Sequence, residues 1–317
     1  MRFCFKSVKC QPILNHMTIK LIKYGIFFMF SFLSNLGFPQ EKALENIELV
    51  EKFGTLNGKA AKSIQNTELK EIIKEAKNIS PKVSGIHKKI KLALSSDAYS
   101  KLKLQSLIVD LLTAENLLPS MAGYNGFPSA VAISVNKELI HNIPDKSKIK
   151  PGSIVTVEIG ASSDKAYASQ TWSYLVPPID KERYELLNAA TLALKNGVKK
   201  IIPGGKIGDI GNAIQQTIES KGYNIVREYS GYAMGKERIM SPQILGYGKL
   251  GTGPSIKPGQ ILNIHVMAID GERNTKLHKN GWGVQAKIGK NSVALSTMVL
   301  VTDTGYELLT SVEINEN

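Results

Sequence analysis

The sequence predicts an α+β fold, and three observations predict it. The first third is charged and periodic at helical spacing, and Ala98 to Asn116 sets Leu102, Leu104, Leu107, Ile108, Leu111 and Leu112 on one broad face. Later come short runs rich in β-branched residues, of which Ile154 to Ile159 (Ile-Val-Thr-Val-Glu-Ile) is the clearest strand. Pro-Gly pairs at 151–152, 203–204 and 258–259 punctuate these runs as turns. The mixture reads as helices with mainly antiparallel strands.

In chain order, Ile47, Leu49, Val50, Phe53 and Leu56 suit one apolar helical face, with Gly54 and Gly58 as weak spots. Leu69, Ile72, Ile73 and Ala76 suit a second helix, which Ser80-Pro81 is expected to break. Ile86 to Leu94 reads as a short helix, and Ala98 to Asn116 as a strong one that Pro119 ends. Strands are predicted at Ala130–Val135, Ile154–Ile159 and Gln170–Val176. A helix over Asp180–Val198 is entered through Pro177-Pro178, and another over Ile207–Lys221 is closed by Gly222. Ile261–Ala268 and Val293–Thr302 are again strands.

The 317 residues are 43% hydrophobic, enough for a sizeable core. Net charge is +13, of which the first forty residues carry five through Arg2, Lys6, Lys9, Lys20 and Lys23 with no acid. No long Lys/Arg run is interleaved with aromatics, so a solvated basic surface is favoured over nucleic-acid binding. Cys4 and Cys10 are the only cysteines, which excludes a disulfide framework or a cysteine nucleophile in the body of the chain.

Lys20 and Lys23 followed by the apolar stretch Gly25–Phe38 resemble a secretory signal starting at Met17 and ending at Pro39, Gln40 and Glu41. Residues 1–40 are therefore read as an unused upstream start plus a signal or anchor, with membrane contact through 20–38. Residues 41–313 are read as one domain and 314–317 as a tail. The expected location is exported or membrane-anchored, with the cytoplasm as the alternative.

Several stretches, in order and at matching spacing, resemble the methionine aminopeptidases of type I. They include Gly123-Tyr124-Asn125-Gly126-Phe127-Pro128, His141-Asn142-Ile143-Pro144, Lys150-Pro151-Gly152-Ser153, Ile207-Gly208-Asp209-Ile210-Gly211, Gly251-Thr252-Gly253-Pro254, Gly281-Trp282 and Thr302-Asp303. The resemblance runs from about Glu45 to Thr310 and implies the pita-bread fold. A segment near 68–101 makes this chain longer than the family it resembles.

The resemblance also implies two divalent metals held by two Asp, one His and two Glu. At the matching positions stand Glu158, Ser169, Tyr232, His265 and Ser296, and Ile239 occupies the place of a second active-site His. Two divalent ions bring about +4 of charge, which four carboxylates would offset. Here one carboxylate and one imidazole remain, and neutral Ser and Tyr are poor ligands for Mn, Co or Fe. No cofactor is expected on this reading. A mononuclear site from Glu158 and His265, helped by His141, is the alternative.

The resemblance places Tyr124, Phe127, His141 and Trp282 around the substrate pocket. Glu158, His265 and Tyr232 together offer an acid–base set, because a carboxylate can orient an imidazole. His141, Glu158 and His265 are thus the catalytic candidates. Besides a structural or nucleic-acid-interacting role through the basic surface, two function classes stay open. One is a non-catalytic relative that binds a peptide or protein terminus; the other is an aminopeptidase or other enzyme with altered chemistry in the same cleft.

Overall fold

The computed structural model describes residues 40–96 and 99–313; for 40–66 it describes the course of the backbone alone. The chain divides into two units, residues 1–65 and 66–317, and among the described residues the sheets and the buried core lie in the second. The signal-like segment and both cysteines precede the described residues, apart from Gln40 at the segment's end, and the tail 314–317 also lies outside them. Among the described residues no helix is long and apolar enough to cross a membrane.

Helix α1 is Gln40–Ser96. It continues through Pro81, where the sequence predicts a break. An interior proline removes one backbone hydrogen bond and costs about 3 kcal/mol. Against that, Ile72, Ala76, Ile79, Val83, Ile86, Ile90 and Leu94 recur at helical spacing and are all buried. Burying a row of such side chains at about 1.5–3 kcal/mol each outweighs the lost bond. The same face carries polar anchors. Ser84 donates to Gln170 Oε1 at 2.9 Å, and His87 Nε2 lies 3.1 Å from the Gln170 carbonyl.

Helix α2 (Lys101–Ala114) starts at Ser100, whose hydroxyl accepts from the Lys103 backbone. Two helices follow the first sheet. In α3 (Lys181–Val198) the Asp180 side chain caps the Arg183 nitrogen at 2.8 Å. In α4 (Ile207–Glu219) Ile207, Ile210, Ile214 and Ile218 form the buried stripe. The two cross closely because position 197 has no Cβ; one built there would lie 2.7 Å from Ile214 Cγ1.

All strand pairs described are antiparallel. The first sheet is built on β4 (Ile154–Ser162), which pairs along its length with β5 (Tyr167–Leu175). On its other edge β4 pairs with β1 (Leu118–Pro119) and β2 (Ala132–Val135). A small sheet joins β3 (Glu138–Ile140), β11 (Val284–Ala286) and β10 (Thr275–Leu277). The third sheet runs β13 (Tyr306–Leu308), β12 (Ser292–Val301), β9 (Ile261–Ile269), β7 (Ser230–Met234), β8 (Met240–Leu245), with β6 (Asn224–Ile225) also on β9.

Strands β9 and β12 are buried almost throughout, in keeping with sequences that are mostly apolar and interrupted only by Asn263 and His265 in β9 and by Ser292, Ser296 and Thr297 in β12. Helix α3 covers them. Strands β5 and β12 belong to different sheets yet lie side by side, and serine hydroxyls join them. Ser173 Oγ donates to the Ala294 carbonyl at 3.1 Å and accepts from the Ala294 nitrogen at 3.0 Å. This junction brings the faces of the two large sheets around a common cleft.

Candidate peptide-binding cleft

Side chains alternate across a strand, so Glu158 and Gly160 on β4 share a face. Their register partners on β5 are Thr171 and Ser169. On the third sheet, His265 of β9 stands opposite Ser296 of β12, and Tyr232 of β7 pairs with Asn263 of β9. The two faces enclose a cavity of about 390 Å³. Glu158, Ser169, Tyr232 and His265 all line it.

Ser296 does not. It is fully buried, and its hydroxyl accepts from the Thr171 backbone nitrogen at 2.8 Å. The order of motifs marks the position, but the reach of a short hydroxyl is a matter of packing: it stops at the junction between sheets instead of entering the cleft.

Glu158 is held by His141. The His141 backbone nitrogen donates to one carboxylate oxygen at 2.5 Å, and His141 Nε2 lies 3.5 Å from the other. The β2–β4 register explains the meeting, since Ala132 pairs with Glu158 and the chain returns through β3 to His141. His141 takes a left-handed φ of 58°, a strained conformation that the Glu158 bond helps to hold. Its imidazole packs edge-on against Tyr229.

Glu158, His265 and Tyr232 share the cleft, and within it the contacts of the carboxylate are with His141. His265 stays partly open to the cleft, but its Nε2 is sealed from solvent without a hydrogen-bond partner among the described residues. Burial, with the charges of His141 and Arg238 behind it, lowers its pKa to about 3. It is a neutral ring at physiological pH, tilted against Tyr232 at 5.4 Å.

The opposite wall is aromatic. Phe127 is buried and meets Trp282 edge to face at 5.3 Å, and Tyr124 stands beside them. Ile239 also lines this end. Glu228 and Tyr229, from the family-like stretch Val226-Arg227-Glu228-Tyr229, line the cleft too, and so do Thr171 and Arg238, which no motif in the sequence singles out. Among the described residues, no group of three or more His, Cys, Asp and Glu is placed to hold a metal ion.

Residues 60–303 match the model of metallopeptidase family M24. The chain belongs to that family. Methionine aminopeptidase 1 of Bacillus subtilis is 32% identical over 241 residues, covering 76% of this chain and 96% of that protein. The crystal structure of methionine aminopeptidase from Rickettsia prowazekii superposes with a TM-score of 0.74 at 28% identity, covering 76% of this chain and 98% of that one. Prolidase from Pyrococcus furiosus, at 18% identity and a TM-score of 0.58, shares the fold alone over 75% of this chain and 64% of its own. The M24 domain thus has the pita-bread fold and is methionine aminopeptidase-like.

Membership corrects the expectation of no cofactor. The family is one of metallopeptidases by its own description, so a divalent metal is part of the chemistry this M24 domain has to be tested with.

Proposed function

We propose that this M24 protein holds the terminus of a peptide or protein chain in its cleft without hydrolysing it. The observation that carries the reading is the commitment of Glu158. It is the one carboxylate among the five ligand-matching positions, and both its oxygens face His141. Around it the donors are a phenol, hydroxyls and an imidazole whose Nε2 is sealed. A pair of divalent ions needs bridging carboxylates, and that set supplies none beyond Glu158. The walls, in contrast, have the make-up of a binding site. Tyr124, Phe127 and Trp282 give apolar contact, and His141 with Glu158 gives a polar end that accepts an ammonium group. A carboxylate has about four acceptor positions, so the His141 contacts leave room for one more donor.

The Glu158–His141 pair also favours a second reading, an enzyme with altered chemistry. A carboxylate that orients a half-exposed imidazole is the arrangement of a general acid–base pair. In it His141 would take or give the proton at the cleft, and Glu158 would hold the ring in place.

One experiment separates the readings. The full-length protein is titrated with short peptides by calorimetry, and release of the first residue is followed with and without added Mn, Co, Fe or Zn. Saturable binding with no release supports the binding protein. Release that depends on metal overturns it in favour of hydrolysis, and release without metal that is lost in His141→Ala supports the acid–base enzyme.

A further inference from the structure

Arg238 stands at the aromatic end of the cleft with no carboxylate among the described residues to answer it. Its guanidinium lies over the Tyr124 ring at 4.6 Å. Its Nε is shut away from solvent without a hydrogen-bond partner among those residues. The two carboxylates of the cleft are turned elsewhere: Glu158 faces His141, and Glu228 accepts from the backbone nitrogen and hydroxyl of Thr275, both at 3.2 Å. A buried guanidinium donor without an acceptor is costly, because desolvation is not repaid.

The backbone makes room for this cation. A Cβ built on Gly160 would lie 3.3 Å from one terminal nitrogen of Arg238, 3.1 Å from Met121 Cγ and 2.8 Å from Ser120 Oγ. Any residue but glycine there would press on the guanidinium. Ser120 Oγ is itself a buried hydroxyl with no partner among the described residues. Two unanswered polar groups thus meet at the opening that Gly160 leaves in β4.

The spacing along β4 gives the ligand its shape. Glu158 and Gly160 point the same way and are two residues apart, about 7 Å along the strand. One end of the cleft therefore carries an anion and the other, at that short separation, a cation. This suits a small group bearing both charges: an α-ammonium at Glu158 and a carboxylate at Arg238. An N-terminal aspartate or glutamate has those two groups a few bonds apart. Arg238 answers the carboxylate with a planar fork that a neutral amide cannot match.

We infer that Arg238 makes the cleft selective for chains that begin with an acidic residue. This rests on the reading that the cleft holds a chain terminus, and the test separates the two. The full-length protein is titrated with tripeptides beginning with Asp, Asn, Glu, Gln or Met and otherwise identical. The acidic peptides should bind about tenfold or more tighter than their amide counterparts, and the preference should fall as salt rises. Arg238→Gln should erase the difference between the acidic peptides and their amide counterparts. Arg238→Lys should keep part of it. Gly160→Ala should reduce it with Arg238 intact, which guards against a fold defect in the Arg238 variants. Equal binding of acid and amide peptides overturns the inference and spares the terminus reading. A preference that survives Arg238→Gln overturns the role of Arg238. Failure of every peptide to bind overturns both.

Discussion

Glu158 meets His141 twice, through the backbone nitrogen and through the ring, and the two contacts differ in what they support. The backbone contact is short, buried on the Glu158 side and made to a residue with φ of 58°. The ring contact is long, and 41% of the His141 side chain is exposed. Glu158→Ala should therefore cost about 1–3 kcal/mol of stability. His141→Ala keeps the backbone bond and should cost less than about 1 kcal/mol. Urea unfolding of both variants checks the difference; equal losses would mean that the ring carries the pair.

Ser296 offers a second contrast. In Ser296→Ala the Thr171 nitrogen loses its acceptor inside the protein, at a cost of about 1–3 kcal/mol. Ser296→Glu forces a carboxylate into the same fully buried junction and should cost more than the alanine variant. Thermal unfolding midpoints in that order are expected. A glutamate variant as stable as the parent would show that the side chain can reach the cleft.

Stability should fall as the solution is acidified, and His87 should contribute. Its Nε2 donates to the Gln170 carbonyl and its Nδ1 lies 2.5 Å from the Tyr174 hydroxyl, so the neutral ring is satisfied. Burial lowers its pKa from 6.5 to about 4, against the smaller opposing effect of the Gln170 bond. The unfolded chain then binds the proton first. The stabilisation is complete above the unfolded value and is lost as pH falls from 6.5 toward about 4, by about 3 kcal/mol. His265 acts in the same direction. The comparison of parent with His87→Gln, each unfolded by urea across that range, isolates the His87 part: the variant should show the shallower slope.

Trp282 should report the cleft. It is half-buried against Phe127, whereas Trp172 is fully buried. A bound peptide should change the fluorescence of Trp282 and leave that of Trp172 constant. Trp282→Ala should remove the signal and weaken binding at least about tenfold, while the unfolding midpoint moves little. Unchanged affinity in that variant would place the binding surface elsewhere.

The parts that were legible in the sequence are those whose cause is local. Strands β4, β9 and β12 announce themselves because both of their faces are buried, and α3 because Pro177-Pro178 and the Asp180 cap precede it. Glu158, Ser169, Tyr232 and His265 line one cleft because they sit on strands whose register carries them there. What escaped depends on register and packing. The helix through Pro81 is decided by the core beneath it. Glu158 and His141 meet only through the pairing of β2 with β4. Arg238 stands in the charged string Lys236-Glu237-Arg238, where nothing local distinguishes a cleft cation from a solvated one.

The hydroxyls between β5 and β12 have a consequence for how this molecule behaves among its neighbours. Among the described residues, strand β5 is ladder-paired only with β4, and β12 over 292–298 only with β9, so each turns a flank of backbone toward the other. Exposed to solvent, a flank of that kind would be a template for another chain to add a strand; these two are buried against each other. Ser173 and Ser296 occupy it from within, supplying acceptors to the Ala294 and Thr171 nitrogens. Removing both hydroxyls would leave two buried backbone nitrogens without acceptors, and the edges would become templates for self-association once the sheets part.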